Sequence, residues 1–409
     1  MNTETHVLRT PAAGVPELSD SPNALAAATA ALAAGTGPVA IDTERAPVFR
    51  YSARAYLVQL RRAGAGTWLL DPIAFQNGRA LSDLSQLAAA IAAAQWVLHS
   101  AHQDLPCLSQ IGLVPNHIFD TELAAKLLGL PRVSLAALVE EFFGVTLLKE
   151  HSAADWSCRP LPAAWRAYAA LDVELLIELR DRLATELEAA GKAEWAAQEF
   201  AYLVETFAKT QPERPERWRR MNGANQVQTQ RGFAIMRELW LTRDAIALEL
   251  DQYPGHILAD AAITQIAALV NPEHPQLPTA AELRSLGVFN RNPAQTFMSD
   301  WLTAIRRAGA LPEAELPPIH LKRNQIPDVR DWPRVKPAAA ALWAETRPTV
   351  IETAEQLQLP VENLVSPGAL KQCCWQLAGR APAAVVDQTL AELAVREWQR
   401  SFIVPLLSA

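Results

Sequence analysis

Between Pro38 and about residue 190 the chain alternates two hydrophobic rhythms. Short runs with period-2 patterning, VAIDT, RAYLVQLR and GTWLLD, read as three successive strands, with Gly64 and Gly66 marking the second turn. The pattern then predicts an alanine-rich helix over 81–94, a short strand WVLHS, a helix beginning near Gln103, a strand HIFD, and helices over 121–128 and 134–143. A long helix is expected from Pro162, a good first-turn residue, to Gly191, a good residue just past a helix end. Three hairpin-type strands followed by strand–helix alternation predict an α/β domain, a mixed sheet with helices on its faces.

After about Phe207 the strand signals vanish. TQPERPERWRR reads as a connector, and a second proline-rich stretch, 311–337, separates two all-helical segments that resemble each other. Leu239–Trp240 recurs as Leu342–Trp343, and PGHILADAAITQIA parallels PVENLVSPGALKQC. In both, a proline lies six residues before a helix N-cap candidate, Asp260 or Ser366. A degenerate repeat of one helical module accounts for this. The expected division is a flexible lead over 1–20, an α/β domain over 21–207, a first helical module with its connector over 208–310, a linker over 311–337, and a second, degenerate module over 338–409.

Composition narrows the class. The 409 residues suggest two to four domains, and 50% hydrophobic against 20% charged residues can bury sizeable cores. No apolar run of about 18 residues occurs, so no membrane-spanning helix is expected. The N-terminus lacks the basic-then-apolar pattern of a secretory signal. Cys107, Cys158, Cys373 and Cys374 form no CxxC pair, which fits a reducing, cytoplasmic location and excludes a cysteine zinc site. The net charge of −7 argues against bulk affinity for nucleic acid but leaves room for a local basic surface: Arg214, Arg217, Arg219, Arg220, Arg231, Arg237 and Arg243. No GxxxxGK[ST] loop occurs, so neither a helicase nor a nucleotide cofactor is expected.

Three stretches carry the chemistry. In AIDTE, strand geometry aims Asp42 and Glu44 at one face, where like charges in a half-buried sheet repel. Arg45, Arg50 or Arg54 can compensate, and a divalent cation does so better, since hard cations take oxygen ligands. Solvated acids at an exposed strand end are the plain alternative. In HSAHQDL, Asp104 falls in the first turn of a helix, where the helix dipole alone justifies an acid. In YAALDVELL, Tyr168 and Asp172 are i and i+4 on one helical face. Taken together, this is the kind of set that two-metal phosphodiester hydrolysis needs: a bridging carboxylate, further carboxylates, and a group that orients the attacking water.

On these motifs the chain resembles the ribonuclease D family, in the tyrosine-bearing branch of the DEDD 3′–5′ exonuclease superfamily. FDTELAAKLLG and DWSCRPLPAAWRAYAALD match it as well, and the helical segments resemble the HRDC domain, the second more loosely. The resemblance implies a ribonuclease H-like mixed sheet with flanking helices, followed by two all-α HRDC-like domains. It implies a 3′–5′ exoribonuclease that releases 5′-mononucleotides from a free 3′-hydroxyl, with tRNA precursors the usual substrates. It implies two divalent ions, Mg²⁺ or Mn²⁺: Asp42 bridging both, Glu44 and Asp172 completing the shell of one, Asp104 holding the other, and Tyr168 bonding the attacking water. Thr43, His99, Arg159, Arg219 and Arg220 are the candidates for contact with RNA, and a monomer is expected. His99 and His102 beside Asp104 also admit a transition-metal reading, which the strand-to-helix break between them disfavours. Two rival functions stay open, a DNA exonuclease with the same carboxylates and an inactive RNA-binding scaffold. A chain cut after Phe207 keeps every candidate ligand and is expected to fold as a nuclease domain.

Overall fold

The computed structural model describes residues 6–78, 80–147, 151, 153–209, 216–320 and 326–409. The chain forms two compact units. One comprises Met1–Glu44, Arg54–Gln211 and Asn324–Ala409; the other comprises Arg45–Ala53 and Pro212–Arg323.

The first unit is built on eight strands among the described residues: β1 (His6–Leu8), β2 (Leu18–Ser19), β3 (Thr36–Glu44), β4 (Leu57–Ala63), β5 (Gly66–Leu70), β6 (Trp96–Leu98), β7 (Ile118–Asp120) and β8 (Val145–Leu147). Six form one sheet in the order β2-β5-β4-β3-β6-β7. The β3–β4–β5 meander is antiparallel, while β6 and β7 join parallel to β3. Alternation along β3 sorts its side chains. Val39 and Ile41 enter the main core with Val58 and Leu60, and Ala40 packs on the other face with Val97, Val173 and Leu176. That second face also carries Asp42 and Glu44.

Helices α1 (Pro22–Ala34), α2 (Ser85–Ala90), α3 (Leu105–Gln110), α4 (Thr121–Leu127) and α5 (Leu135–Phe143) fill the connections. The long helix expected from Pro162 is divided at Leu175 into α6 (Ala163–Glu174) and α7 (Leu176–Ala189), and α8 (Ala193–Phe207) follows. The break lets α6 cover β3, β4 and β5 while α7 turns onto β3 and β6. The helix expected over 81–94 shortens to Ser85–Ala90, because the chain must turn at Ile91 to enter β6.

The lead expected to be flexible is structured from His6 onward. Here β1 pairs with β8 and β2 with the edge strand β5. Ala12 donates its backbone N–H to Glu174 at 3.1 Å, and Arg166 reaches Glu17 at 2.8 Å. An open sheet edge presents unpaired backbone groups that favour such capture.

The C-terminal helices also belong to this unit: α14 (Trp332–Val335), α15 (Pro337–Gln356), α16 (Val361–Leu364), α17 (Pro367–Leu377), α18 (Ala383–Glu392) and α19 (Glu397–Leu407). They dock on α8. Trp195 stacks on Trp398 with centroids 4.8 Å apart, Arg396 reaches Glu199 at 2.7 Å, and the Trp398 indole donates to Glu199 at 2.9 Å. Lys192, 7% exposed, donates to the carbonyls of Leu127 and Leu357, both at 2.7 Å, and burial lowers its pKa. A freestanding nuclease domain ending at Phe207 is therefore not what the chain builds, since α8 and the α4 end have partners beyond that point.

The second unit comprises α9 (Gln230–Leu250), α10 (Pro254–Ile257), α11 (Asp260–Leu269), α12 (Ala280–Ser285) and α13 (Met298–Ala310) around buried Trp218, Phe289 and Trp301. Residues 45–53 belong to it as well: the Tyr51 hydroxyl donates to Asp244 and the Ser52 N–H to Asp251. Leu311, Leu316 and Ile319, expected in a linker, pack against its core, and 321–325 lie outside the described residues. The repeat is visible as a long helix, a four-residue helix and a helix of ten or eleven residues in each block. Ser366 does cap α17, whereas Asp260 is the first residue of α11 and binds Arg243 at 2.6 Å. No helix of the described residues is long and apolar enough to cross a membrane.

Candidate active site

Strand β3 and helix α6 bring the acids together. Asp42, Glu44 and Asp172 each offer a carboxylate oxygen within 4.8 Å of the others. Glu44 is 9% exposed and the other two are half-buried. At such separations each fully ionised pair repels by about 3 kcal/mol at an effective dielectric constant near 20, so the triad calls for a cation. A cavity of about 490 Å³ opens here, lined by Asp42, His99, Gln103, Glu122, Tyr168 and Asp172 among others. Its donor set is oxygen-rich and contains no thiolate, which fits a hard divalent ion.

Asp104 stands apart from the triad. It is 4% exposed and occupies the N-cap of α3, yet its side chain makes no capping bond and instead accepts from the Thr43 hydroxyl. The helix-start explanation therefore does not account for where this carboxylate points. It turns toward Thr43 on β3, the strand that also carries Asp42 and Glu44.

Tyr168 lies one helical turn before Asp172. Burial, the charges of Asp172, Glu44 and Asp42, and a hydrogen bond to Asp172 push its phenol well above the ordinary range, so it remains a protonated donor. Its ring is braced by Trp156, fully buried with centroids 6.3 Å away, and by His151 edge-on at 5.9 Å. Trp156 comes from the Asp-Trp-Ser element, where Asp155 accepts from the Ser157 N–H at 3.1 Å and from its hydroxyl.

Several expected contacts have other duties. Arg159 binds Asp71 in a two-point fork at 2.6 and 2.7 Å and donates to the carbonyls of Tyr56, Trp156 and Cys158. It clamps the loop ahead of α6 instead of facing a phosphate. Arg219 is held against Glu216 and the Trp218 and Phe233 rings, while Arg220 is exposed. Of the other arginines, Arg231 donates to the carbonyls of Ala308, Gly309 and Leu311, Arg243 is buried, and Arg214 lies outside the described residues. His99 Nδ1 meets the Thr121 hydroxyl at 2.9 Å, and that hydroxyl donates to the Leu98 carbonyl, which makes Nδ1 the donor. His102 is exposed and packs edge-on against Phe207, so the two histidines do not converge.

Sequence reasoning missed Asp120 and Glu122. Asp120, 2% exposed, accepts from the N–H groups of Ser100, Ala101 and Leu123 at 3.2, 2.7 and 3.0 Å. Burial raises its pKa and these donors oppose the rise. Glu122 accepts from the Ser100 hydroxyl and pairs with Lys126 at 2.9 Å. Ser100 itself has a left-handed φ of 64°. The two acids hold the turn that delivers Asp104, and FDTE was the only hint of them in the chain.

Comparison with known proteins agrees with this geometry. Residues 16–188 match the 3'-5' exonuclease family, and 325–409 match the 3' to 5' exonuclease C-terminal domain. Ribonuclease D of Acidiphilium cryptum is 31% identical over 310 residues, 74% of each chain. Ribonuclease D of Jannaschia sp. is 30% identical over 306 residues, 73% of this chain and 76% of the relative. The chain belongs to the ribonuclease D family. Its enzyme class is that of the family, a 3′–5′ exoribonuclease. Among solved structures, a protein from Bifidobacterium adolescentis superposes with a TM-score of 0.85 at 36% identity, covering 99% of both chains. Escherichia coli RNase D, described as an exoribonuclease involved in structured RNA processing, gives 0.67 at 25% identity over 92% of this chain and 98% of its own. The mixed sheet with flanking helices and the helical C-terminal region are thus those of a ribonuclease D.

Proposed function

We propose that this ribonuclease D family member hydrolyses RNA from a free 3′-hydroxyl, releasing 5′-mononucleotides, with two divalent cations, Mg²⁺ or Mn²⁺. The observation that carries the reading is the triad of Asp42, Glu44 and Asp172 within 4.8 Å, beside Tyr168 and a cavity. Asp42, Glu44 and Asp172 would hold one ion, and Asp42 and Asp104 the second. Bound there, the cations supply charge stabilisation to the attacking and leaving oxygens. Tyr168, kept protonated, orients the attacking water by donating or relaying a hydrogen bond at its hydroxyl. Thr43 holds Asp104 through its hydroxyl, and His99 braces the turn before it. tRNA precursors in the cytoplasm are the proposed substrates and a monomer the proposed working form. RNA as the substrate of this chain is supported by relatives named for it.

The test uses matched RNA and DNA oligonucleotides, with Mg²⁺, with Mn²⁺ and with a chelator. Stepwise loss of 3′ nucleotides from RNA, abolished by the chelator and by a 3′-phosphate, is expected. Equal or faster digestion of DNA would move the reading to a DNA exonuclease, and binding without turnover in any metal would leave a scaffold.

A further inference from the structure

Gln59 is fully buried on β4 and stands directly opposite Asp42 in the antiparallel β3–β4 register. Opposed residues in such a pair project to the same face, so the amide lies on the face of Asp42 and Glu44, the one α6 covers. Neither Nε2 nor Oε1 has a hydrogen-bond partner among the described residues. A buried amide left in that condition is costly, and its presence beside a carboxylate cluster asks what it bonds when the site is at work.

The neighbours narrow the answer. On β4, Leu57 opposite Glu44 is apolar. Arg61, opposite Ala40, is engaged with Glu174 at 3.3 Å and Thr67 at 3.2 Å. On the other side β5 places the apolar Leu69 opposite Gln59, so the ionisable side chain directly across the strand pairing is Asp42. An ionised carboxylate only accepts, so it can take the amide N–H₂ but offers nothing to Oε1. Oε1 needs a donor; the Tyr168 hydroxyl of the same site is already bonded to Asp172, and a water polarised by a cation can supply one.

We infer that Gln59 is a positioning residue of the metal site: with the cation bound, its Nε2 turns to donate to the Asp42 carboxylate and its Oε1 accepts from a water in the cation's hydration shell. This rests on the metal reading above. Outer-shell partners of this kind orient the ligand and typically change metal affinity tenfold to a hundredfold when removed.

The experiment compares wild type with Gln59→Met and Gln59→Leu in the full-length chain, both of which keep bulk and delete the amide. Mn²⁺ binding is followed by isothermal titration calorimetry and metal-free melting by calorimetry, with Asp42→Asn alongside. Mn²⁺ affinity is expected to fall about tenfold or more in both Gln59 variants, while the metal-free melting temperature stays level or rises because an unsatisfied amide has gone. Affinity within twofold of wild type would overturn the inference. So would failure of both variants to fold, or a lower metal-free melting temperature with unaltered affinity, since either means the amide bonds within the protein. If Asp42→Asn also keeps full Mn²⁺ affinity, the metal reading itself fails; if only Gln59 proves neutral, that reading stands.

Discussion

Asp42 is the carboxylate on which the reading of the site turns, because it shares one corner with both Glu44 and Asp172. Asp42→Asn removes one of three crowded charges while keeping shape. Turnover is expected to drop by roughly a thousandfold or more, several kcal/mol of transition-state stabilisation at about 1.4 kcal/mol per tenfold. The metal-free melting temperature is expected to hold or rise, since repulsion is relieved and no core contact is lost. Steady-state kinetics beside a thermal melt check both, and activity within tenfold of wild type sinks the assignment. The thiols offer a second residue-scale test. Burial pushes Cys373 and Cys374 up to about 12, Cys107 is buried, and Cys158 is exposed. Only a thiolate attacks, so raising the pH from 7 to 9 should leave Cys373 and Cys374 protonated and silent. A chromogenic disulfide reagent is expected to titrate one fast thiol in the native protein and four after denaturation.

At the scale of elements, the turn between β6 and α3 is held from outside by β7 and α4. Asp120 satisfies three backbone N–H groups there, so Asp120→Ala strands them and is expected to cost roughly 3 kcal/mol or more of stability. Because that turn delivers Asp104, activity should fall further than the loss of folded protein explains; denaturant melts and kinetics on the folded fraction separate the two. Gly129 marks another joint. Its φ is +75°, and a Cβ added there would meet the Gln358 carbonyl oxygen at 2.4 Å, backbone that cannot swing away. Gly129→Ala is therefore expected to loosen the docking of α15's end beside the Lys192 bonds, seen as faster amide exchange around 355–359 and a lower melting temperature.

For the whole molecule, the C-terminal helices are structural partners of the nuclease sheet. Truncation after Phe207 exposes Trp195, takes the Leu357 carbonyl from Lys192 and takes Arg396 and Trp398 from Glu199, so the product is expected to aggregate or melt well below the full chain. A truncated protein with an unchanged melting temperature would contradict this. The second unit offers fewer open cations than its arginine count suggests, and Arg217 and Arg220 are the exposed ones on its first turn. In an Asp42→Asn background that prevents cleavage, Arg217→Ala with Arg220→Ala is expected to flatten the slope of log K against log salt for RNA by about 1.4 to 1.8, at 0.7 to 0.9 per phosphate contact. An unaltered slope would assign those arginines to solvent.

What the chain's own order determines is local and periodic. The placement of Asp42 and Glu44 on one strand face, the i, i+4 relation of Tyr168 to Asp172, the β3–β4–β5 meander and the helical repeat all follow from spacing along a strand or helix, which needs no partner to be read. Tertiary structure decided whatever depended on residues far apart. The lead became strands because β5 and β8 had open edges, the long helix divided at Leu175 to follow two parts of a twisted sheet, and Arg159 was taken by Asp71 88 positions away. Asp120 and Gln59 carried no periodic signal of their own. Their meaning came only once β7 lay beside β6 and β4 lay beside β3, because a hydrogen bond, or the lack of one, exists between places and not between letters.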